Sequence, residues 1–397
     1  RPRLEQLPSA APGRRPVRFA MIVQLQRPRK SEDHISVDLG IAAFAQLGAL
    51  LRVVLSGPFA KFNVVNLSSV MWANMLGCFL IGLLESTRAD FDKRGLLTLF
   101  TGLSVGLCGS LTTFSTWQGE VARWLVKWPT SGVLDVLADH GAFTRILSAT
   151  SALITELSIS FLAFLVGRWA AHRFVNRLRV PLIPDESGGE DHRDSSGAED
   201  EEDSGETRES EDSADESVGE DGGGETRRSR EDDDARKPDH TMALVIAFLL
   251  LLCFVTALVT ALNLSQGGQL YFFIVMLAPF GALLRYYMRA WLGFMPQGAG
   301  TFASNILACS ASAALKVGLA AADCYPDNHW LHHFLQGLST GFCGCLSTTS
   351  TFIVHLYDFD FGYSVAYCLI SFATAQVAFG AIMGGYLAGS GVSHVCS

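Results

Sequence analysis

Residues Gly106–Trp117 read GLCGSLTTFSTW, and a second copy, GFCGCLSTTSTF, occupies Gly341–Phe352. Each copy lies in the middle of a long apolar segment. Glycine weakens a helix, and the hydroxyls of Ser and Thr compete for its backbone hydrogen bonds. Within a membrane, a broken backbone is tolerated only where protein buries it or where it lines a polar cavity. Two matching interruptions in the two halves of a membrane protein therefore indicate where its site lies.

The composition is that of a membrane protein with one strongly acidic insertion. Hydrophobic residues make up 49% of the 397 residues and charged residues only 17%. The apolar residues form long blocks, and a helix needs about 20 of them to cross a membrane. The segment 185–239 holds 24 Asp and Glu against 7 Lys and Arg, so the net charge of −9 comes from this segment. Because it cannot bury enough apolar surface to fold, we expect it to be disordered.

The apolar blocks predict an all-α membrane protein with nine transmembrane helices, ordered as four, one and four. A single helix between two groups of four starts the second group on the opposite side of the membrane, so the groups are expected to be inverted repeats. The distribution of Lys and Arg then places the N-terminus in the cytoplasm and the C-terminus outside. The predicted parts are a basic, disordered tail (1–36), a first repeat (37–180), a disordered acidic linker (181–240), an inverting helix (241–263), a second repeat (264–390) and a C-terminal tail (391–397).

Three markers occur in the same order in both repeats. GALLR at Gly48–Arg52 recurs without change at Gly281–Arg285. A buried-type asparagine follows each arginine, 22 residues later in the first repeat and 20 in the second. The Gly/Thr stretch comes next in both, at an offset of 235 residues. This order predicts that the third helix of each repeat is broken in the middle of the membrane.

The polar residues in the predicted helices are mainly hydrogen-bond donors, with hydroxyls, amides and arginines but very few carboxylates. Such donors suit an anion, whereas a cation path or proton relay is expected to contain Asp or Glu. Aromatic rings belong with the donors because their edges are electropositive. The same residues also have a structural interpretation, since hydroxyls and amides join helices and arginines extend from helix ends to the membrane surface. Zinc-type Cys/His spacing, a Ser-His-Asp order and a phosphate loop are lacking, so an enzyme is not indicated.

GALLR, the mid-helix asparagine and the Gly/Thr stretch resemble the CrcB/Fluc family of fluoride channels. The order of four, one and four helices is similar to the fused eukaryotic form of that family, the fluoride export proteins. The resemblance covers Val37–Val166 and Tyr271–Leu387. It implies passive export of fluoride through a single fused pseudo-dimer in a lipid membrane, for which the plasma membrane is expected. No nucleic-acid partner is expected.

The resemblance also implies roles for individual residues. The family has two pores, and each takes one aromatic ring from either repeat. One pore would keep both rings, Phe114 and Phe352, while the other would have Thr349 and Trp117, so we predict that the second pore is vestigial. A structural Na⁺ is implied at the backbone carbonyls of the break, with no other cofactor. The implied residues are Asn74, Ser115, Thr116, Asn305, Ser350 and Thr351 in the pores, Arg52 and Arg285 in the vestibules, and Gly109, Thr112, Gly344 and Ser347 around Na⁺.

Two other functions remain open on the sequence alone. A proton-coupled fluoride transporter would need a titratable group in the ion path, for which Glu156 is the deep candidate. A membrane interaction protein could recruit a partner through the acidic linker.

Overall fold

The structure, a computed structural model, describes residues 31–60, 67–128, 141–175, 266–322 and 329–390. The acidic linker, the predicted inverting helix and the C-terminal tail lie outside the described residues. The first described helix begins at Ser31, so the last six residues of the predicted N-terminal tail are helical.

All regular elements in the described residues are helices. The first repeat contains α1 (Ser31–Ala60), α2 (Met71–Lys93), α3 (97–111), α4 (Phe114–Val126) and α5 (142–175). The second repeat contains α6 (Gln266–Trp291), α7 (Ala299–Ala322), α8 (329–346), α9 (Ser350–Asp358) and α10 (361–390). The described residues up to Phe174 and from Gln266 onward belong to one compact unit.

Six helical segments in the described residues are long and apolar enough to cross a membrane. The prediction of an all-helical membrane protein therefore agrees with the structure, whereas the count of nine helices stays a prediction. The six segments are Ile35–Gly57, Leu97–Val126, Ala142–Arg173, Gln269–Trp291, Ala299–Ala321 and Phe361–Gly389.

Helices α1 and α6 pack against each other through matching small residues. Their contact residues are buried and recur every fourth position, which places them along one face of each helix. Small side chains allow two membrane helices to approach closely, so van der Waals contact can hold them together without a hydrophobic driving force. The matching positions are Ile41, Ala45 and Ala49 in α1, and Ile274, Ala278 and Ala282 in α6.

The glycine of the first GALLR motif allows α1 to lie directly on α3. A Cβ atom added at Gly48 would be 2.6 Å from the carbonyl oxygen of Leu107, which is closer than real Cβ atoms come to backbone. The motif is therefore a close-packing device as well as the carrier of an arginine four residues later.

The break predicted in each third helix is present. α3 widens into a π-helical turn at Gly102–Cys108 and ends at Leu111, after which Thr112 is extended with φ −89° and ψ 150°. In the second repeat, α8 widens at Leu338–Cys343, and Ser347 is extended with φ −88° and ψ 156°. π-Turns often mark functional sites, and here they precede the point where the helix stops.

The halves of the broken helices after the break pack against the opposite repeat. α4 lies on α7 and α10, while α9 lies on α2 and α5. The predicted end of the third helix at Trp117 is wrong, because α4 continues to Val126 and includes Trp124. α4 ends where Lys127 takes a left-handed conformation (φ 56°), and the Arg145 guanidinium donates to the Leu125 carbonyl (3.0 Å).

Candidate functional site

The start of α4 is capped by a hydroxyl from the other repeat. Ser347 Oγ accepts hydrogen bonds from the backbone N–H groups of Phe114 (3.2 Å) and Ser115 (3.1 Å). The first N–H groups of a helix have no partner within the helix, so a hydroxyl placed there stabilises the helix start. Thr113 contributes from its own repeat, because its Oγ1 accepts from the N–H of Thr116 (3.4 Å).

The start of α9 has the reciprocal arrangement. Thr112 Oγ1 accepts from the N–H groups of Thr349 (3.3 Å) and Ser350 (3.1 Å). Thr112 and Ser347 are 235 residues apart, as are the N–H groups that they cap. Each repeat therefore completes the broken helix of the other, and the two breaks depend on each other structurally.

The hydroxyls at the two breaks form one buried network. Their hydrogen bonds cross between the repeats, and all six side chains are at most 1% exposed. A hydroxyl can donate or accept, so the network can reorient its protons when an anion arrives. The crossing pairs are Thr112 with Thr348 (3.2 Å) and Ser350 (3.1 Å), and Ser347 with Thr113 (3.1 Å) and Ser115 (2.9 Å).

The two predicted pore asparagines hold the extended backbone of the breaks. Asn74 Oδ1 accepts from the N–H of Thr113 (2.9 Å), and its Nδ2 donates to the carbonyl of the same residue (3.2 Å). Asn305 makes the same two bonds with Thr348 (2.8 and 3.2 Å). Each amide nitrogen retains a second hydrogen, which is the donor that a passing anion could use.

Arg285 donates to the backbone carbonyls of both breaks. Its guanidinium reaches the carbonyl oxygens of Gly109 (2.7 Å), Val105 (2.6 Å) and Ser347 (3.1 Å). The side chain is 1% exposed. Carbonyls released from helical bonding need donors when they are buried, and a guanidinium can supply several at once.

Arg52 has the matching position on the other side. Its guanidinium donates to the carbonyl oxygens of Ser110 (2.6 Å) and Thr340 (2.5 Å), and it lies 3.7 Å from Cys345 Sγ. The sequence placed Arg52 and Arg285 in vestibules, and an extension from the helix ends was its structural alternative. The structure instead buries both side chains at the breaks, and any contact with a permeating ion stays a prediction.

Two predicted sodium ligands are also the glycines that make room for these arginines. A Cβ atom at Gly109 would collide with the Arg285 guanidinium, and one at Gly344 would collide with that of Arg52. The backbone oxygens of the break have the hard-donor chemistry that Na⁺ takes, and an oxygen that accepts from arginine keeps a second lone pair. The four predicted carbonyls therefore fit a monovalent cation, although Gly109 and Ser347 also accept hydrogen bonds from Arg285.

The predicted ring pair is in contact across the repeats. The ring centroids of Phe114 and Phe352 are 5.3 Å apart, and both side chains are fully buried. Phe372 on α10 touches both rings at 5.9 Å, and Tyr367 lies 5.4 Å from Phe352. The sequence analysis missed Phe372 and Tyr367, because they lie on a fourth helix where no repeated motif draws attention to them.

Trp117 and Thr349, the residues predicted in the second pore, are also fully buried. The Trp117 ring is 5.9 Å from Phe114 and 5.3 Å from Phe372. Thr349 uses its backbone N–H on Thr112, while its hydroxyl has no hydrogen-bond partner in the described part of the chain. Trp117 Nε1 has none there either.

Polar side chains continue beyond the breaks on α4 and α9. Thr116, on α4, is 3.3 Å from Thr113 through its hydroxyl, and Thr351 on α9 donates its N–H to Thr348 Oγ1 (3.4 Å). Unlike the other hydroxyls of the stretch, Thr116 and Thr351 are only partly buried, which leaves their sides of α4 and α9 more accessible.

One turn further along, the two repeats differ. Glu120 on α4 accepts from the N–H (2.7 Å) and hydroxyl (2.5 Å) of Ser69. The residue 235 positions later is His355, whose Nε2 is 3.1 Å from Thr301 Oγ1. The sequence analysis missed both residues because it ended the third helix too early, and continuing the repeat offset past Trp117 would have found them.

Glu156, the deep carboxylate, is bound to the start of α2. Both of its oxygens accept from Ser68, one from the backbone N–H and the other from the hydroxyl (2.7 Å). The side chain is 2% exposed. A carboxylate at a helix N-terminus is stabilised by the unpaired N–H groups and the helix dipole, so these contacts have a structural explanation.

The comparison with known proteins bears on both repeats. A family profile described as CrcB-like protein, Camphor Resistance (CrcB), matches residues 39–168 and 272–386, which together are more than half of the chain. The chain belongs to the CrcB family. The predicted resemblance is therefore confirmed, and the two matches contain the two breaks with their reciprocal caps.

Named relatives of this CrcB-family chain include proteins from fungi and from an archaeon. It is 24% identical over 379 residues to fluoride export protein 1 of Candida albicans, covering 90% of this chain and 81% of the relative. Fluoride export protein 1 of Saccharomyces cerevisiae is 22% identical over 346 residues, covering 81% and 85%. The fluoride-specific ion channel FluC of Methanococcus aeolicus is 38% identical over 85 residues, which are 21% of this chain and 63% of the relative. No solved structure matches at a comparable level of significance.

Proposed function

We propose that the chain is a fluoride-selective, passive channel that exports fluoride and so protects the cell from fluoride toxicity. The relatives named above support fluoride as the ion, and the buried donors at the breaks suit an anion. The single observation that carries the proposal is the contact of Phe114 with Phe352 beside the shared hydroxyl network. Ring edges and neutral donors at one point can take the place of the water around a small anion.

The energetics favour neutral donors over a charged binding site. Fluoride is small and strongly hydrated, so its entry into a dry passage is costly unless hydrogen-bond donors replace its water. An ion must also leave again, and neutral donors bind it less tightly than a fixed opposite charge would. An inside-negative potential contributes about 2.3 kcal/mol per charge per 100 mV, which drives an anion outward without a fuel.

The proposed architecture is a single fused pseudo-dimer of two inverted four-helix repeats, with nine membrane helices in total. The reciprocal caps on α4 and α9 and the matching small residues of α1 and α6 support a two-fold relation between the repeats. We place the chain in the plasma membrane, with a cytoplasmic N-terminus and an external C-terminus. The acidic linker is proposed as a tether only.

We propose that fluoride passes through one intact pore. This pore contains Phe114 and Phe352, with amides from Asn74 and Asn305 and hydroxyls from the two breaks. The second pore would have Thr349 and Trp117 in place of the ring pair and would not conduct. The difference between the two ring positions in sequence supports this assignment.

A structural Na⁺ at the carbonyls of Gly109, Thr112, Gly344 and Ser347 is part of the proposal. When bound, it would neutralise the inward-pointing carbonyl dipoles of the two breaks. Arg52 and Arg285 donate to carbonyls of the same breaks, so the chain supplies part of this positive charge itself.

The proposal is tested by ion efflux from liposomes that contain the purified full chain. Fluoride and chloride efflux are compared with an electrode while valinomycin and a potassium gradient set the membrane potential. We expect rapid fluoride efflux that follows the potential, ignores a pH gradient and exceeds chloride efflux. Efflux that requires a proton gradient would instead indicate a coupled transporter, and the absence of fluoride efflux would contradict the channel.

Substituting Glu156→Gln distinguishes the channel from a proton-coupled transporter. Glutamine keeps one oxygen that can accept from Ser68, so we expect a loss of about 1–2 kcal/mol in stability from the other bond. Fluoride efflux per folded molecule should still follow the potential. The measurement is efflux together with a melting curve, with Asp92→Asn at the exposed end of α2 as the matched control. Loss of efflux at unchanged stability would favour proton coupling through Glu156.

A further inference from the structure

Two buried hydrogen-bond donors occur where the second pore lacks its ring pair. Trp117 Nε1 and Thr349 Oγ1 lie on side chains that are 0% exposed, and neither has a hydrogen-bond partner in the described residues. Most hydroxyls at the breaks are bonded to one another, so Thr349 is an exception within its own stretch. Buried donors usually have partners, and unpaired ones indicate a bound water or ion that they could satisfy.

The reciprocal caps relate these two positions to the ring pair. Ser347 Oγ holds the N–H of Phe114, and Thr112 Oγ1 holds the N–H of Thr349 in the same way. Positions 114 and 349 therefore start the two half-helices in equivalent surroundings. Because Phe114 meets Phe352 in one pore, position 349 is directed toward position 117 in the other.

The chemistry of the two positions differs in kind from that of the ring pair. A phenyl ring offers only a weakly electropositive edge, whereas an indole N–H and a hydroxyl are true hydrogen-bond donors. Hydrogen bonds to an ion are stronger than neutral ones. Since conduction requires binding that is weak enough for release, a site with such donors would hold an anion longer than the ring pair does.

Positive charge approaches α4 on the second repeat's side. The side chain of Lys316, on α7, extends beside Gly119, where an added Cβ would lie 3.2 Å from the lysine Cε. The repeat offset of the asparagines, 231 residues, relates Lys316 to Glu85 in the first repeat. The lysine therefore brings a positive charge close to the turn of α4 that carries Trp117, which favours an anion there.

We infer that Trp117 and Thr349 form a fluoride-binding site that holds the ion instead of passing it. The inference rests on the proposed function in taking fluoride as the ion. It changes the meaning of the second pore, which becomes a static anion site whose occupancy supports the fold around the breaks. The absence of conduction then follows from tight binding and does not require a physical blockage.

The test uses the tryptophan fluorescence of the full chain in detergent, titrated with sodium fluoride against sodium chloride at constant ionic strength. We expect a saturable change with fluoride that chloride does not produce. Trp117→Phe keeps an aromatic ring but removes the N–H, so the change should disappear. Trp291→Phe, at a 63% exposed position, is the matched control and should keep it. Thr349→Val should move the midpoint to roughly tenfold higher fluoride.

Each outcome decides the inference. A fluoride-dependent change that persists in Trp117→Phe overturns the site, and so does the absence of any change, which would mean that the donors hold water only. Should Trp117→Phe fail to fold, an unchanged midpoint in Thr349→Val overturns it equally. Fluoride efflux from liposomes without a fluorescence change would refute this site but leave the channel proposal intact. A fluorescence change without efflux would do the opposite.

Discussion

Replacing Phe114 by leucine should lower fluoride efflux roughly 10- to 100-fold at an unchanged amount of folded protein. Leucine fills a similar volume but has no ring edge to face the ion beside Phe352. Interactions with a charged group contribute about 1.5–3 kcal/mol, and each 1.36 kcal/mol added to a barrier slows a process tenfold. Phe352→Leu should have a similar effect, because the two rings belong to one pair. The measurement is voltage-driven efflux from liposomes, normalised to the folded chain.

Phe164→Leu is the matched control for the loss of a buried ring. Phe164 on α5 is 0% exposed and contacts Tyr357, away from the breaks. The substitution should lower the melting temperature but keep efflux per folded molecule. If Phe114→Leu and Phe164→Leu reduce efflux equally, the ring pair has no special role. If Phe114→Leu retains full efflux, the assignment of the conducting pore to Phe114 and Phe352 is wrong.

Local patterns in the sequence predicted the elements that depend on local chemistry. A Gly, Ser and Thr run inside an apolar block predicted the break, because hydroxyls compete for backbone bonds wherever they lie. The repeat of GALLR, asparagine and the Gly/Thr stretch predicted which residues occupy equivalent positions. Those positions are paired in the structure, as the identical bonds of Asn74 and Asn305 show.

The partners of these residues could not be predicted, since they come from the other repeat. Nothing in the local sequence of Arg285 indicates that it reaches the carbonyl of Gly109, 176 residues away. The charge of an arginine near a helix end suggested a vestibule, whereas the demand of buried carbonyls for donors places it inside. Glu120 was missed for a different reason, because Gln118 and Gly119 interrupt the apolar pattern and made the helix look shorter than it is.

Substituting Arg285→Met should prevent stable folding of the breaks. Methionine fills the space but leaves the carbonyl oxygens of Val105, Gly109 and Ser347 without the donor that each has now. An unsatisfied buried acceptor costs about 1–3 kcal/mol, so three of them approach the 5–15 kcal/mol by which a protein is stable. We therefore expect loss of monodisperse protein, or a fall of at least 10 °C in melting temperature. The measurement is size-exclusion chromatography with a melting curve.

Arg173→Met is the matched control, because Arg173 is exposed at the end of α5 and should change the melting temperature little. Sodium gives a second comparison. If Na⁺ shares the break carbonyls with the guanidinium groups, raising its concentration should stabilise Arg285→Met more than the unaltered chain, since more negative charge is left for it to neutralise. Replacing Na⁺ by a bulky organic cation should remove this gain. A variant that melts at the unaltered temperature in both solutions would show that the break carbonyls do not need the arginine, and that their stability depends on the hydroxyl caps alone.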